Sequence, residues 1–316
     1  MAIYKSNKKV VAVYKGSTPI NKIYKGSTLV FQKSGGSQSV PVVIKFTDDS
    51  DPEKRKYQPV CEGGTKTATS QTIELPSEGE TYKFGETWKG YTRSLLEVRN
   101  YSNNCPSVTS FSSLFSDAAN MKTLTFAKGM DTSKIKSMEN MFERCGSLGS
   151  LDLSSFNTIN CTNFNHMFYD CYSLVSLGSS SFNTSKGTNF EYMFGYCSSL
   201  GSLDLSKFNT SNATSLGWMF YGCRSLVSID LSSFDTSKCT NFRNMFDGCR
   251  SLVSIDLSNF DTSNATDFGW IFLGCDKLTH IKCKQAFKDW CITNQNEIYL
   301  PTAMQEGGSG TWEIVD

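Results

Sequence analysis

Ser225-Leu-Val-Ser-Ile-Asp-Leu-Ser-Ser-Phe-Asp-Thr-Ser-Lys-Cys-Thr-Asn-Phe-Arg-Asn-Met-Phe-Asp-Gly-Cys249 decides how this chain folds, because its skeleton returns every 26 residues on either side. The leading leucine recurs as Leu148, Leu174, Leu200, Leu226, Leu252 and Leu278. The central phenylalanine recurs as Phe156, Phe182, Phe208, Phe234 and Phe260, with Met130 in the earliest slot. A Met-Phe pair stands at 141–142, 167–168, 193–194, 219–220 and 245–246, and is replaced by Ile271-Phe272 in the last unit. A fixed period of roughly 20–50 residues marks one supersecondary unit per repeat. One unit cannot bury Leu226, Ile229, Leu231 and Phe234 alone; stacked units bury them against each other.

Leu226, Ile229 and Leu231 fit the L-x-x-L-x-L pattern of a leucine-rich repeat. Ile229 and Leu231 are two apart and share one face of a short strand, which turns Asp230 the other way. Phe242, Met245, Phe246 and Cys249, spaced three, one and three apart, predict a helical or 3-10 turn that closes the unit over the core. The pattern continues upstream in weaker form. Leu114-Phe115 matches the Met-Phe slot, and Met121, Leu124 and Phe126 match Leu226, Ile229 and Leu231 if one residue is inserted near Met130. Leu96, Val98 and Tyr101 can be laid on Ile229, Leu231 and Phe234. The expected fold is therefore an α/β repeat, a leucine-rich-repeat solenoid of about eight coils over residues 93–283. Its parallel sheet would be on the order of 35–40 Å long.

A terminal coil exposes core and needs a cover. Residues 284–316 supply one: Gln285-Ala-Phe-Lys-Asp-Trp-Cys291 reads as a capping helix with Phe287 and Trp290 inward. Glu297-Ile-Tyr-Leu and Thr311-Trp-Glu-Ile-Val read as a closing strand or strap. At the other end, residues 1–32 carry a different repeat, in which Tyr4-Lys-Ser, Tyr14-Lys-Gly-Ser-Thr and Tyr24-Lys-Gly-Ser-Thr recur every ten residues. Apolar clusters between Gly-Ser turns predict short strands. Three of them bury too little to stand alone, so this segment needs a partner. Residues 33–40 read as a Gly/Ser linker, and residues 41–92 as a small β-rich module whose Asp48-Asp-Ser-Asp51 turn is a solvated acidic turn or a calcium ligand set.

Composition narrows the function. Formal net charge is +1, so nothing global points to nucleic acid, although the first 33 residues hold seven lysines and no acid. No run of about 18 apolar residues occurs, so no membrane span is expected. The N-terminus lacks the apolar stretch of a secretory signal, which predicts that the usual export route is not used. Six of the twelve cysteines (Cys145, Cys171, Cys197, Cys223, Cys249 and Cys275) keep the 26-residue interval, and no CxxC occurs. Zinc sites need closely spaced ligand pairs, so a column of buried thiols filling apolar space is expected. Whether Cys61 pairs with Cys105, or Cys283 with Cys291, stays open. The two histidines, His166 and His280, have no recognisable catalytic partners, and no phosphate loop or metal-binding helix motif is present. Neither an enzyme nor a cofactor is expected.

Two columns remain as candidates. Asp152, Asp204, Asp230 and Asp256 share one register, with Gly178 standing in for a fifth. Stacked roughly 5 Å apart, they would be partly protonated or hold cations or glycan; alternatively, the flanking serines hydrogen-bond them. The second candidate lies where the repeat stops repeating. The slot before Met-Phe reads Asn140, His166, Tyr192, Trp218, Asn244, Trp270, and three residues later Glu143, Tyr169, Gly195, Tyr221, Asp247, Leu273. After the cysteine come Gly146, Tyr172, Ser198, Arg224, Arg250 and Asp276. His166, Tyr169, Tyr172, Tyr192, Trp218, Tyr221, Arg224, Arg250 and Trp270 are the candidate recognition face. Aromatics on a rigid scaffold suit sugar stacking or protein anchoring, or else packing within the chain or against another subunit.

The coil Leu-x-x-Ile-Asp-Leu-Ser-x-Phe-Asp-Thr-Ser…Met-Phe-x-Gly-Cys closely resembles the BspA-like leucine-rich repeats of bacterial surface proteins, over about 190 residues. That resemblance implies adhesion or surface recognition and carries no catalytic residues; the expected lack of an export signal departs from it. The Tyr-Lys-Gly-Ser-Thr decads are similar to N-terminal segments of virion structural proteins from phages of gut Bacteroides, including crAss-like phages. This second resemblance implies a fibre, spike or decoration subunit. Tyr4, Tyr14, Lys15, Tyr24 and Lys25 would anchor it to other virion proteins, and the solenoid would face a host surface protein or glycan. A bacterial cell-surface adhesin is the alternative. A homo-oligomer is expected in either case.

Overall fold

The computed structural model describes residues 109–126, 130–179 and 181–315 and, before these, the backbone of seven strands. The chain divides into two compact units, one of residues 1–108 and 118–131, the other of 109–117 and 132–316. In the first unit, β1 (Val11–Lys15), β2 (Thr18–Lys25) and β3 (Thr28–Lys33) form an antiparallel sheet, with Tyr14 opposite Pro19 and Tyr24 opposite Leu29. The expected strands between the decads are therefore present. The Gly-Ser turns, Tyr4, the linker at 33–40 beyond Lys33, the Asp48–Asp51 turn, Cys61 and Cys105 lie outside the described residues.

A second sheet has the order β5-β6-β4-β7-β8, from β4 (Val42–Phe46), β5 (Thr65–Lys66), β6 (Ser70–Ile73), β7 (Leu95–Tyr101) and β8 (Thr123–Phe126). β7 is antiparallel to β4 and parallel to β8, so the strand at 95–101 shares one sheet with the segment at 41–92. Laying Leu96, Val98 and Tyr101 on the repeat predicts Val98 beside Phe126, but Val98 pairs with Leu124, and Tyr101 with Phe126 across an irregularity. The slip is two residues. An even slip leaves each side chain on its face, so hydrophobic pattern alone could not detect it.

The second unit is built from the 26-residue coils. Three-residue strands appear at β9 (Ser150–Asp152), β10 (Ser176–Gly178) and β11 (Ser254–Asp256), then β12 (His280–Lys284). β9 pairs with β10, and β11 with β12, both parallel and with matching positions opposed: Leu151 by Leu177, and Ile255 by Ile281. The expected continuous eight-stranded sheet is not formed, because residues 202–204 and 228–230 are not paired as strands. The unbroken parallel file runs elsewhere, as single bridges from Ser110 through Ser137, Asn163, Asn189, Ser215 and Asn241 to Asp267.

That file begins the segment expected to be a helical or 3-10 turn, and the structure makes it a string of tight turns with bonds three residues back, not a helix. Phe242, Asn244, Phe246 and Gly248 donate their N–H groups to the next coil, at Asp267, Gly269, Ile271 and Leu273 (2.7–3.1 Å). Met245, Asp247 and Cys249 donate back three residues within their own coil, to Phe242, Asn244 and Phe246. The N–H of Arg243 goes to Asn241 Oδ1 at 2.9 Å. Every amide from Arg243 to Cys249 is thus satisfied, as burial demands. A helix would have spent all of these bonds inside one coil; a string of tight turns gives half of them to the neighbour. The turns at Asn244 (φ 54°) and Gly248 (φ 74°) are of the kind that needs a positive φ at its third residue.

Inside, Phe115, Phe142, Phe168, Phe194, Phe220, Phe246 and Phe272 stack in one file, centroids 5.4–6.1 Å apart. Beside it runs the cysteine column, free and buried. It is more than filler. Each thiol donates to a phenylalanine carbonyl in the preceding coil, as Cys171 does to Phe142 (3.1 Å) and Cys197 to Phe168 (3.2 Å). Burial pushes the Cys223 thiol up to about 12, far from reactive thiolate. A third column was not anticipated. Thr132, Thr158, Thr184 and Thr236 are buried, and each hydroxyl donates to a carbonyl of the next coil while accepting an amide from the same residue: Thr184 with Asn209, at 2.8 Å both ways.

The stack ends under α1 (Gln285–Thr293) and α2 (Gln295–Ile298). Phe287 is buried and Trp290 half-buried, and both rings meet Phe268 of the last coil (5.6 and 4.7 Å). Cys283 and Cys291 are free. β13 (Thr311–Val315) then pairs parallel to β12 as a further rung.

Candidate functional site

The slot before Met-Phe is the third residue of a tight turn, where glycine or asparagine adopts a positive φ at little cost. Asn140 and Asn244 meet that demand, but the other coils do not. His166 (54°), Tyr192 (55°), Trp218 (56°) and Trp270 (60°) hold bulky side chains in the left-handed region, at about 1–2 kcal/mol each relative to a right-handed backbone.

The coil spacing brings these rings together. His166 stacks on Tyr192 at 4.5 Å, and Tyr192 on Trp218 at 5.0 Å. Tyr169 meets His166 and Tyr192 edge-on at 5.0 and 5.5 Å, and Tyr221 meets Tyr192 edge-on at 6.4 Å. Tyr196, which stands in none of the three variable slots, joins them. It lies edge-on to Tyr169 and Tyr221, and its hydroxyl donates to that of Tyr221 at 3.1 Å. The signal was there: Tyr196 occupies the second positive-φ slot, which is glycine in the next three coils, at Gly222, Gly248 and Gly274. Missing side chains make the room. A Cβ at Gly195 would press on Tyr169 and Tyr192, and one at Gly222 on Tyr196.

Of the nine residues singled out in the sequence, five therefore gather with Tyr196 into one aromatic cluster. Trp270 stands apart, 40% exposed, separated from Trp218 by the coil of Asn244. Its face is taken by the Arg243 guanidinium at 4.3 Å, and Arg243 also reaches Asp267 at 3.5 Å. Asn244 is buried and donates to Asp247 Oδ2 at 2.6 Å; burial raises the Asp247 carboxyl above its ordinary range. Tyr172, Arg224 and Arg250 belong to neither group. All three are exposed, and the Tyr172 ring lies over Gly146, whose Cβ would collide with it.

The cluster carries little charge. Burial lowers the His166 pKa, against the opposing pull of Glu143, Glu191 and Glu139, so the ring is neutral at pH 7. The hydrogen bond with Tyr196, then burial, raises the Tyr221 phenol. In the aspartate column the structure shows the serine alternative. Asp152, Asp204 and Asp230 each accept the N–H of the serine two residues on, at 2.9 Å, and bonds to that serine lower all three below the usual carboxylate range. Asp256 does the same with Ser258 and pairs with Lys282 at 3.4 Å. These are turn caps, not shared protons.

The model of the family described as "Mycoplasma protein of unknown function, DUF285" matches residues 89–202 and again 173–290, together more than half of the chain. The chain belongs to that family. The match falls on the coils that carry the aromatic cluster and fits a BspA-like surface repeat protein. No curated protein and no solved structure matches. Among the described residues, no helix is long and apolar enough to cross a membrane.

Proposed function

We propose that this chain is a non-enzymatic recognition protein, a leucine-rich-repeat solenoid whose aromatic cluster docks a protein partner, carried on a phage virion by its N-terminal decads. One observation carries the recognition reading: four bulky rings occupy backbone positions that favour glycine or asparagine. Strain of that kind persists where side chains are kept for what they do. The stacking selects the partner. Tyr192 has His166 on one face and Trp218 on the other, which leaves ring edges and hydroxyls to meet a ligand. Edge-on anchoring in the apolar pockets of a protein surface suits this better than a sugar lying flat on an open face.

The virion part rests on the decads with Tyr14, Lys15, Tyr24 and Lys25 as anchors beside Tyr4, and on the β1–β3 sheet they form. The second reading, a bacterial cell-surface adhesin, is favoured by the family match itself. Mass spectrometry of purified particles and of surface-shaved host cells separates the two. The chain is expected in particles; its absence there, with presence on intact cells, would favour the adhesin. For recognition, Tyr192→Ala with Trp218→Ala should abolish cell-surface capture of the purified chain while its circular dichroism is kept. Undiminished capture would sink the aromatic site.

A further inference from the structure

The aromatic cluster sits in an acidic setting. The string of turns that carries it, residues 137–144 and the five equivalent stretches to 267–274, holds six carboxylates, two arginines and no lysine, in a chain whose formal net charge is +1. Both arginines are neutralised within the chain. Arg144 meets Glu143 at 3.0 Å and Asp117 at 3.7 Å, and Arg243 meets Asp267 at 3.5 Å. The other four carboxylates border the rings. Glu139 belongs to the coil before His166, Glu191 precedes Tyr192, Asp170 follows Tyr169, and Asp247 occupies the Tyr221 slot one coil on. Glu139 and Glu191 lie close enough to act electrostatically on His166, Asp170 on Tyr169, and Asp247 on Tyr221. Among the described residues none of the four is in an ion pair.

Two of the four are held ready. Glu191 Oε1 accepts the Ser215 hydroxyl at 2.6 Å and the Asn241 amide at 3.1 Å, which fixes its carboxylate on the next two coils. Asp247 is 8% exposed, with its side chain bonded to the Asn244 amide, and Asn244 Oδ1, also buried, has no hydrogen-bond partner. A buried carboxylate without a counter-charge costs stability until a cation is supplied. The chain itself shows one way of supplying it. At Trp270, the outlying ring of the same file, the Arg243 guanidinium lies 4.3 Å over the ring and pairs with Asp267. The main cluster has the rings and the carboxylates but no cation of its own to spare. On the protein-docking reading, on which this inference rests, we propose that the partner surface is basic: lysine or arginine side chains around its apolar anchor pair with Glu139, Asp170, Glu191 and Asp247. A charged rim around a ring-filled centre fixes register, speeds encounter and turns acidic surfaces away.

Capture of the full chain by intact host cells tests this. Raising salt from about 0.05 to 0.5 M should weaken capture of the parent chain at least about tenfold, because salt screens exposed pairs. Glu139→Gln with Asp170→Asn and Glu191→Gln should cost about the same factor at low salt, keep the circular dichroism and flatten the salt dependence. Asp276→Asn with Asp289→Asn and Glu306→Gln removes as many charges from exposed sites on the last coil and its cap. That control should change capture by less than about twofold. Salt-independent capture of the parent, a rim variant captured as well as the parent, or equal losses in the two triple variants would each overturn the proposal. Tyr192→Ala with Trp218→Ala keeps the two readings apart. If that pair abolishes capture while salt and the rim variant leave it intact, the cluster docks an uncharged ligand and the basic partner falls. If none of these changes diminishes capture, the aromatic site fails and this inference with it.

Discussion

Two files of rings run along the coils, one inside and one outside, and they follow different rules. Phe142, Phe168, Phe194 and Phe220 repeat without change and are fully buried. His166, Tyr192 and Trp218 stack just as closely but change identity at every coil and stay partly exposed. Coil spacing explains the stacking in both, since parallel backbones about 4.8 Å apart place equivalent side chains in contact. It does not explain why the outer rings accept a left-handed backbone. The inner file is what stacking needs; the outer file is what stacking permits and something else retains.

Truncation should separate them most sharply. Phe194→Ala removes a fully buried ring with a neighbour on each side, at 5.4 and 5.8 Å, and should cost about 3–5 kcal/mol in urea unfolding. Tyr192→Ala also loses two stacked neighbours, yet its site opens to water and should cost about 1–2 kcal/mol. Equal losses would erase the distinction between the files.

A smaller effect is expected from the threonine column, which shares the burial of the inner file but acts through hydrogen bonds. Thr184→Val keeps the shape and strands both the amide and the carbonyl of Asn209. Thermal unfolding should report a loss of about 1–3 kcal/mol. A neutral result would mean that the coils are held together by ring packing alone.

These columns also show how far the fold could be read from residues. The period, the leucine and phenylalanine slots, the cysteine column and the capping helix followed from apolar spacing, because burial leaves a periodic mark. Hydrogen-bond routing leaves none. Phe242, Met245, Phe246 and Cys249 have helical spacing, yet their segment is a string of turns, since a positive φ at Asn244 is invisible when its counterparts are Trp218 and Trp270. The threonine column leaves no apolar mark for the same reason. At the candidate site, five of six clustered rings were found as departures from the pattern. Tyr196 stands outside the variable slots that flank the Met-Phe pair and the cysteine, and Tyr172, Arg224 and Arg250 are exposed without touching the clustered rings.

The finest distinction lies at Trp218 itself. Its φ of 56° favours glycine, by about 1–2 kcal/mol over any residue with a Cβ. Trp218→Ala loses the stack on Tyr192 and keeps the strain. Trp218→Gly loses the same stack, worth about 0.5–1.5 kcal/mol, and relieves the strain, less about 0.5–1 kcal/mol for the freer unfolded chain. The glycine variant should therefore be the more stable of the two by up to about 1 kcal/mol, close to the parent protein and opposite to the usual order of alanine over glycine. Parallel denaturant titrations of the three proteins would resolve this. Alanine above glycine would mean that the turn holds its rings without strain, and the outer file would then need no functional reason to exist. Glycine above alanine, with partner capture lost in both, would mean that the chain keeps tryptophan where its backbone favours glycine, and that the ring is retained for what it touches outside.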